Sequence, residues 1–206
     1  MVKAVLFDMD GVLIEIQGEL IGIFQDALVE FGFKRPGRRK IWKVHAHGVR
    51  NILRALVPQD AQAPKLMKRM ENRVAEMWIE RVRETKVNPD AKFILGKLKR
   101  LGLKLAVVTN RGRTTRPLLK KLGMLRYFDV IVTARDTPYV KPHPAPIRLA
   151  LRRLGVTRND AIFVGDHEVD ILAGKRAGIK TLVLTKRKVA DRIKSLREIL
   201  GLLDGK

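Results

Sequence analysis

Five short runs of the chain are almost unbroken in apolar character: Lys3–Asp8, Lys104–Thr109, Asp129–Thr133, Ala161–Asp166 and Thr181–Thr185. β-Branched and aromatic residues dominate them, which predicts strands. They do not alternate apolar with polar, so both faces of each strand must be covered, as in a parallel sheet. Apolar residues at helical spacing separate these runs, at Ala91–Leu101, Arg116–Leu122, Pro144–Leu154 and Ile171–Ala177. Strand and helix in alternation predict an α/β fold, a doubly wound parallel sheet. From Glu15 to Thr85 the pattern changes: no strand run occurs, and helical spacing fills Gly18–Phe31, Arg39–Leu56 and Pro64–Val82. An all-helical block placed after the first strand predicts an inserted unit that acts as a lid, with hinges near Ile14–Gln17 and Lys86–Asp90. The expected division is a core of residues 1–15 and 86–206 and a helical cap of residues 16–85. A last helix is expected over Val189–Leu203, with Arg192, Lys194 and Arg197 on a solvated face.

The chain has 206 residues, and 46% of them are apolar, enough for a buried core and too many for a disordered chain. Cysteine is absent. Disulfides, zinc–thiolate sites and thiol nucleophiles are thereby excluded, and any metal must be held by oxygen or by the four histidines. No apolar stretch approaches the roughly 18 residues that span a bilayer, and no signal-peptide pattern follows Met1, so a cytoplasmic protein without a membrane partner is expected. Lys and Arg number 43 against 21 Asp and Glu, a net charge of +22, which calls for an anionic partner. Nine Asn and Gln together with no Cys suggest a heat-adapted, thermophile source.

In open parallel sheets ligands lie beyond the carboxyl ends of the strands. Asp8 and Asp10 follow the first run, Thr109 and Asn110 end the second, and Asp166 with Asp170 follow the fourth. Lys141 lies in the loop beyond the third. Carboxylates gathered at one edge need a cation, and oxygen-only ligands suit Mg²⁺. Thr109, Asn110 and Lys141 would then hold the oxygens of a phosphate brought to that metal.

The series Asp8-Met9-Asp10-Gly11-Val12, Thr109-Asn110, Lys141-Pro142 and Gly165-Asp166-His167-Glu168-Val169-Asp170 resembles the four motifs of the haloacid dehalogenase superfamily, in its phosphoglycolate phosphatase-like branch with a helical cap. The likeness spans nearly the whole chain, and the order of all four motifs gives it its specificity. It implies that Asp8 is the nucleophile and becomes an aspartyl phosphate. Asp10 would protonate the leaving oxygen and then activate water. Mg²⁺ would be bound by Asp8, the Asp10 backbone carbonyl and Asp166, with Asp170 as a further carboxylate. Thr109 and Lys141 match the family's phosphate-binding hydroxyl and ammonium, and Asn110 supplies an amide. Departures are His167, where Ser or Thr is common, and Val12, where Thr is usual. The Asp-Ser pair that often follows in phosphoglycolate-type members is also missing.

The expected activity is therefore Mg²⁺-dependent hydrolysis of a small phosphorylated metabolite, with phosphoglycolate or a similar compound as substrate. A phosphomutase of the same fold retains the same motifs and stays open. The charge also raises a basic nucleic-acid-binding protein that uses the fold as a scaffold, but a nucleic-acid partner is disfavoured: no recognised module and no basic-aromatic stripe occurs. The oligomeric state is open between monomer and homodimer. In the cap, the stretch from Trp42 to Arg50 holds His45, His47, Gly48 and Arg50. Helical spacing puts His47 and Arg50 on one side, where both could meet an anionic leaving group. From Ala91 to Phe128 there are eleven Lys or Arg and no acid. Counted over Glu15–Thr85, the helical stretch carries +5, leaving +17 on the rest of the chain.

Overall fold

The computed structural model describes residues 1–15, 18–81 and 85–203. Its strands are β1 (Ala4–Phe7), β2 (Lys104–Val108), β3 (Val130–Val132), β4 (Ala161–Gly165), β5 (Lys180–Leu184) and β6 (Arg192–Ile193), all parallel, in the order β3-β2-β1-β4-β5-β6. The strand runs are apolar throughout because alternate residues feed two different cores. Val5 and Phe7 of β1, with Leu105 and Val107 of β2, join one cluster; Ala4, Leu6, Ala106 and Val108 join the other. Helices α5 (Ala91–Arg100), α6 (Thr115–Lys121), α7 (Ala145–Leu154) and α8 (Glu168–Ala177) supply their apolar faces to these clusters. Both faces of the sheet are thus covered, as the sequence predicts.

The insertion contains α1 (Gly18–Glu30), α2 (Arg38–Val44), α3 (Val49–Leu56) and α4 (Pro64–Glu80). Its apolar residues form a third cluster that includes Phe24, Leu28, Ile41, Leu53, Met70 and Val74. The chain leaves and re-enters the core on neighbouring segments: the Glu15 amide donates to the Lys86 carbonyl at 2.9 Å, and the Asn88 amide to the Leu13 carbonyl at 3.0 Å. These pairings involve Glu15, Lys86 and Asn88, within the stretches read as hinges; residues 16 and 17 of the first stretch, and Val82 at the end of the third helical stretch, lie outside the described residues.

Three expectations change. The stretch Arg39–Leu56 is two helices, not one, because His45–His47 tightens into a single turn and Gly48 takes a φ of 79° with a ψ of 152°, a conformation that side chains disfavour. The helix after β4 begins at Glu168, three residues before Ile171, since His167 and Asp170 cap it. The final helix, α9, is only Glu198–Leu203; upstream of it Asp191 adopts a φ of 51° and Arg192–Ile193 pair with β5. The Glu198 carboxylate accepts from the Lys194 and Ser195 amides at 2.9 and 3.2 Å, which fixes where that helix starts. No helix among the described residues is long and apolar enough to cross a membrane.

Candidate active site

β1 and β4 are neighbours at the point where the strand order reverses, the place where open parallel sheets bind their ligands. The Asp8 amide still belongs to the sheet, donating to the Val164 carbonyl at 2.8 Å. The chain then turns sharply: the Leu13 and Ile14 amides both donate to the Met9 carbonyl, and the Gly11 amide to the Ile14 carbonyl. Gly11 has a φ of 81°, and a Cβ there would collide with the Asp166 carboxylate. The glycine therefore lets the loops after β1 and β4 share one spot.

Carboxylate oxygens of Asp8, Asp166 and Asp170 all lie within 4.8 Å of one another. Lys141 reaches them from the loop beyond β3, with its Nζ 2.8 Å from Asp8 and 2.7 Å from Asp170, and the ring of Phe163 at 5.4 Å. Its side chain is 1% exposed, so this is a charge held almost wholly inside the protein. Burial pushes the Asp8 carboxyl up to about 7, with Lys141 opposing and Asp170 and Asp10 adding to the rise. Burial likewise pushes Asp166 up to about 8, reinforced by Asp8 and Asp170. Burial alone would lower Lys141, but the carboxylates of Asp170 and Asp8 outweigh it and hold the ammonium well above the ordinary lysine range.

Asp10 points to a different partner. Arg111, two residues past the end of the β2 run, donates Nε to Asp10 at 3.1 Å and Nη2 to the other carboxylate oxygen. With all four ionised, the carboxylates against one ammonium and one guanidinium leave two negative charges in excess. That excess, presented by oxygen ligands alone, fits a hard divalent cation.

Thr109 is buried, and its hydroxyl accepts the Arg111 amide at 3.1 Å. Asn110 is committed to backbone: its Nδ2 donates to the Lys141 carbonyl and the Ala46 carbonyl, each at 2.8 Å, and its Oδ1 accepts the Lys141 amide at 2.8 Å. The expected substrate-binding amide thus anchors the lysine loop and the insertion, while the side chain still borders the cavity. Asp170 accepts the Asp166 and His167 amides at 3.3 and 3.2 Å, so one carboxylate serves both Lys141 and the start of α8.

The cavity above these groups has a volume of about 50 Å³ and is bordered by Asp8, Asp10, Lys141 and Asp166 from the core and by His45 and Trp78 from the insertion. His45 stacks on Trp42 at 4.5 Å and meets the His167 ring edge-on at 5.0 Å, bridging insertion and core. Burial, with His45 adding to it, lowers the pKa of His167. His47 and Arg50 are not brought to this cavity. Gly48 turns the chain between them, and both border a separate groove of about 660 Å³, where Arg50 pairs with Glu71 at 2.8 Å. Sequence reasoning missed Arg111 and Trp78, and singled out His47 where His45 lies at the cavity. The one available signal for Arg111 was its place directly after Thr109-Asn110.

Carboxylates gathered where the strand order reverses, with a buried lysine held against them, define an α/β enzyme built to handle a phosphoryl group. Residues 5–184 match the haloacid dehalogenase-like hydrolases, and the chain belongs to that family. It is a hydrolase of the family's phosphatase type. It is 29% identical to phosphoglycolate phosphatase 1 of Pseudomonas aeruginosa, over 98% of this chain and 80% of that one. Pyrophosphatase PpaX of Bacillus pumilus is 34% identical over 87% of this chain and 82% of its own length. Among solved structures, CbbY from Rhodobacter sphaeroides in complex with phosphate superposes with a TM-score of 0.86 at 27% identity, covering 99% of this chain and 100% of that one.

Proposed function

We propose that the chain is a Mg²⁺-dependent phosphatase that hydrolyses a small phosphorylated metabolite through an aspartyl phosphate on Asp8. The observation that carries this reading is the buried group of Asp8, Asp166 and Asp170, with Lys141 ion-paired to two of them; together with Asp10 and Arg111 the set carries two negative charges in excess once ionised. Asp8, Asp166 and the Asp10 backbone carbonyl would hold Mg²⁺, with Asp170 alongside. When bound, the ion would neutralise the carboxylates and the phosphoryl oxygens, so that two anions can meet.

This chain's own groups do the rest. A carboxylate oxygen of Asp8 attacks phosphorus and the bond from phosphorus to the leaving oxygen breaks. Asp10 gives that oxygen a proton, and then takes one from the water that releases inorganic phosphate from Asp8. Lys141 and the Thr109 hydroxyl face the phosphoryl oxygens, and Asn110 fixes the lysine loop. Residues 16–85 act as the cap: His45 and Trp78 close the cavity from above, and its small volume favours a small cytoplasmic metabolite over a polymer. The relatives' names support phosphoglycolate or another compact substrate.

A panel of phosphorylated metabolites, assayed for inorganic phosphate with Mg²⁺, tests the reading. We expect release from at least one compact phosphomonoester, loss of it in Asp8→Asn, and loss on adding EDTA. Undiminished release after either change contradicts the reading. Formation of an isomer without phosphate would assign a phosphomutase instead.

A further inference from the structure

Arg111 borders the cavity together with Asp8, Asp10, Lys141 and Asp166, and the proposed hydrolysis gives it no part. It is 4% exposed, although a guanidinium keeps its charge at any ordinary pH and needs partners when buried. Trp78 of α4 covers one face, with Cζ 3.8 Å from the ring centroid. Nε and Nη2 grip the carboxylate of Asp10, while the buried Nη1 has no hydrogen-bond partner among the described residues. A forked, aromatic-backed guanidinium of this kind is suited to a planar carboxylate or a phosphate. Here it holds a carboxylate of the protein's own, and that carboxylate belongs to the residue the hydrolysis assigns as proton donor.

We propose that Arg111 is the receptor for a second anionic group on the leaving side of the substrate, and that this anion displaces Asp10 from Arg111 as it binds. The proposal rests on the phosphatase reading above and narrows its substrate class to phosphomonoesters or anhydrides whose leaving group is itself a carboxylate or a phosphate. The exchange conserves charge at the guanidinium: one anion leaves and another takes its place. It needs no new group, because the cavity that holds Asp8 and Lys141 also holds Arg111. Freed of Arg111, Asp10 can turn to the leaving oxygen. A leaving group with no charge of its own cannot make the exchange, so Asp10 stays engaged. Trp78 ties the device to the cap, because it forms one wall of the Arg111 site.

A matched pair of esters tests this on the intact protein: 2-phosphoglycolate and 2-hydroxyethyl phosphate, which differ in the carboxylate. The wild-type protein should favour the acid by about 10²-fold or more in kcat/KM, as a site with buried polar groups discriminates against a substrate that leaves them unpaired. Part of that ratio must appear in kcat, since the anion also frees Asp10. Arg111→Gln should bring the ratio to within a few-fold, and Arg111→Lys, which keeps the charge without the fork, should restore part of it. Inorganic pyrophosphate as a third substrate tells which anion is read; preference for either carboxylate or phosphate supports the shared mechanism. Equal kcat/KM for the two esters in the wild type overturns the proposal without any variant. So does a ratio that survives Arg111→Gln, or one that lies wholly in KM. If none of the three is hydrolysed while p-nitrophenyl phosphate is, the inference falls and the phosphatase reading stands; if p-nitrophenyl phosphate is not hydrolysed either, the phosphatase reading itself fails and takes the inference with it.

Discussion

Asp8 and Asp166 bind protons more tightly in the folded protein than in the unfolded chain, which ties stability to pH in a fixed direction. Below about pH 4 both states are protonated; between there and about pH 7 to 8 the folded state holds more protons, so these two groups favour folding less as pH rises. A divalent cation replaces those protons, and its stabilisation should therefore grow over the same window. Thermal melts should show Mg²⁺ raising the Tm more at about pH 8 than at about pH 5.5. Asp166→Asn removes a like charge from the cluster. Without metal at about pH 8 its Tm should exceed the wild type's by a few degrees, roughly 2–4 °C for each kcal/mol recovered, and Mg²⁺ should no longer raise it. An unchanged response to Mg²⁺ in that variant would remove Asp166 from the metal site. Asp8, Asp10, Thr109 and Asp166 could be placed from sequence because apolar strands announce their own ends, and the sheet brings those ends together. Lys141 and Asp170 lie beyond the strand ends and are singled out by the order of the motifs. Arg111 could not be placed. Its role depends on where the Asp10 carboxylate points and on Trp78 arriving from a helix that begins more than forty residues earlier in the chain.

At the level of elements, the break between α2 and α3 decides which histidine meets the site. A continuous helix would have kept His47 and Arg50 on one face. The turn at His45–His47 and the extended, positive-φ Gly48 instead set His45 over the cavity and bring the chain against Asn110. A Cβ on Gly48 would lie 2.8 Å from the Asn110 carbonyl oxygen. Gly48→Ala should therefore cost about 1–3 kcal/mol in chemical denaturation, because only glycine adopts that backbone conformation without strain. Its kcat should fall as well, since the same turn supplies the Ala46 carbonyl that holds Asn110. Wild-type stability in this variant would mean that the turn tolerates a side chain and does not set the cap's register. The sequence pattern carried the strands and most helix interiors; it failed at Gly48 and at the last helix. In both places a single residue with positive φ, Gly48 or Asp191, interrupts a run whose apolar spacing alone reads as helix.

Across the whole molecule, the +22 charge becomes a field around an acidic site that a divalent ion would neutralise. Arg54, Lys68, Arg113 and Arg135 border the larger groove, which shares Trp78 and Asn110 with the cavity. Such a field raises the encounter rate of anions and is screened by salt, with a Debye length of about 10 Å at 0.1 M ionic strength. The kcat/KM for an anionic substrate should fall several-fold from about 0.02 M to about 0.3 M ionic strength, with kcat nearly constant. A flat kcat/KM would mean that the basic surface does not steer substrate. The central claim is that Asp8 carries the phosphoryl group, and Asp10→Asn offers the most direct view of it. With p-nitrophenyl phosphate and Mg²⁺, the good leaving group needs no acid, whereas hydrolysis of the acyl phosphate lacks its base. Intact-protein and peptide mass spectrometry of that variant should find one phosphoryl group, on Asp8. An unmodified Asp8, in a variant that still releases p-nitrophenol, would contradict the account.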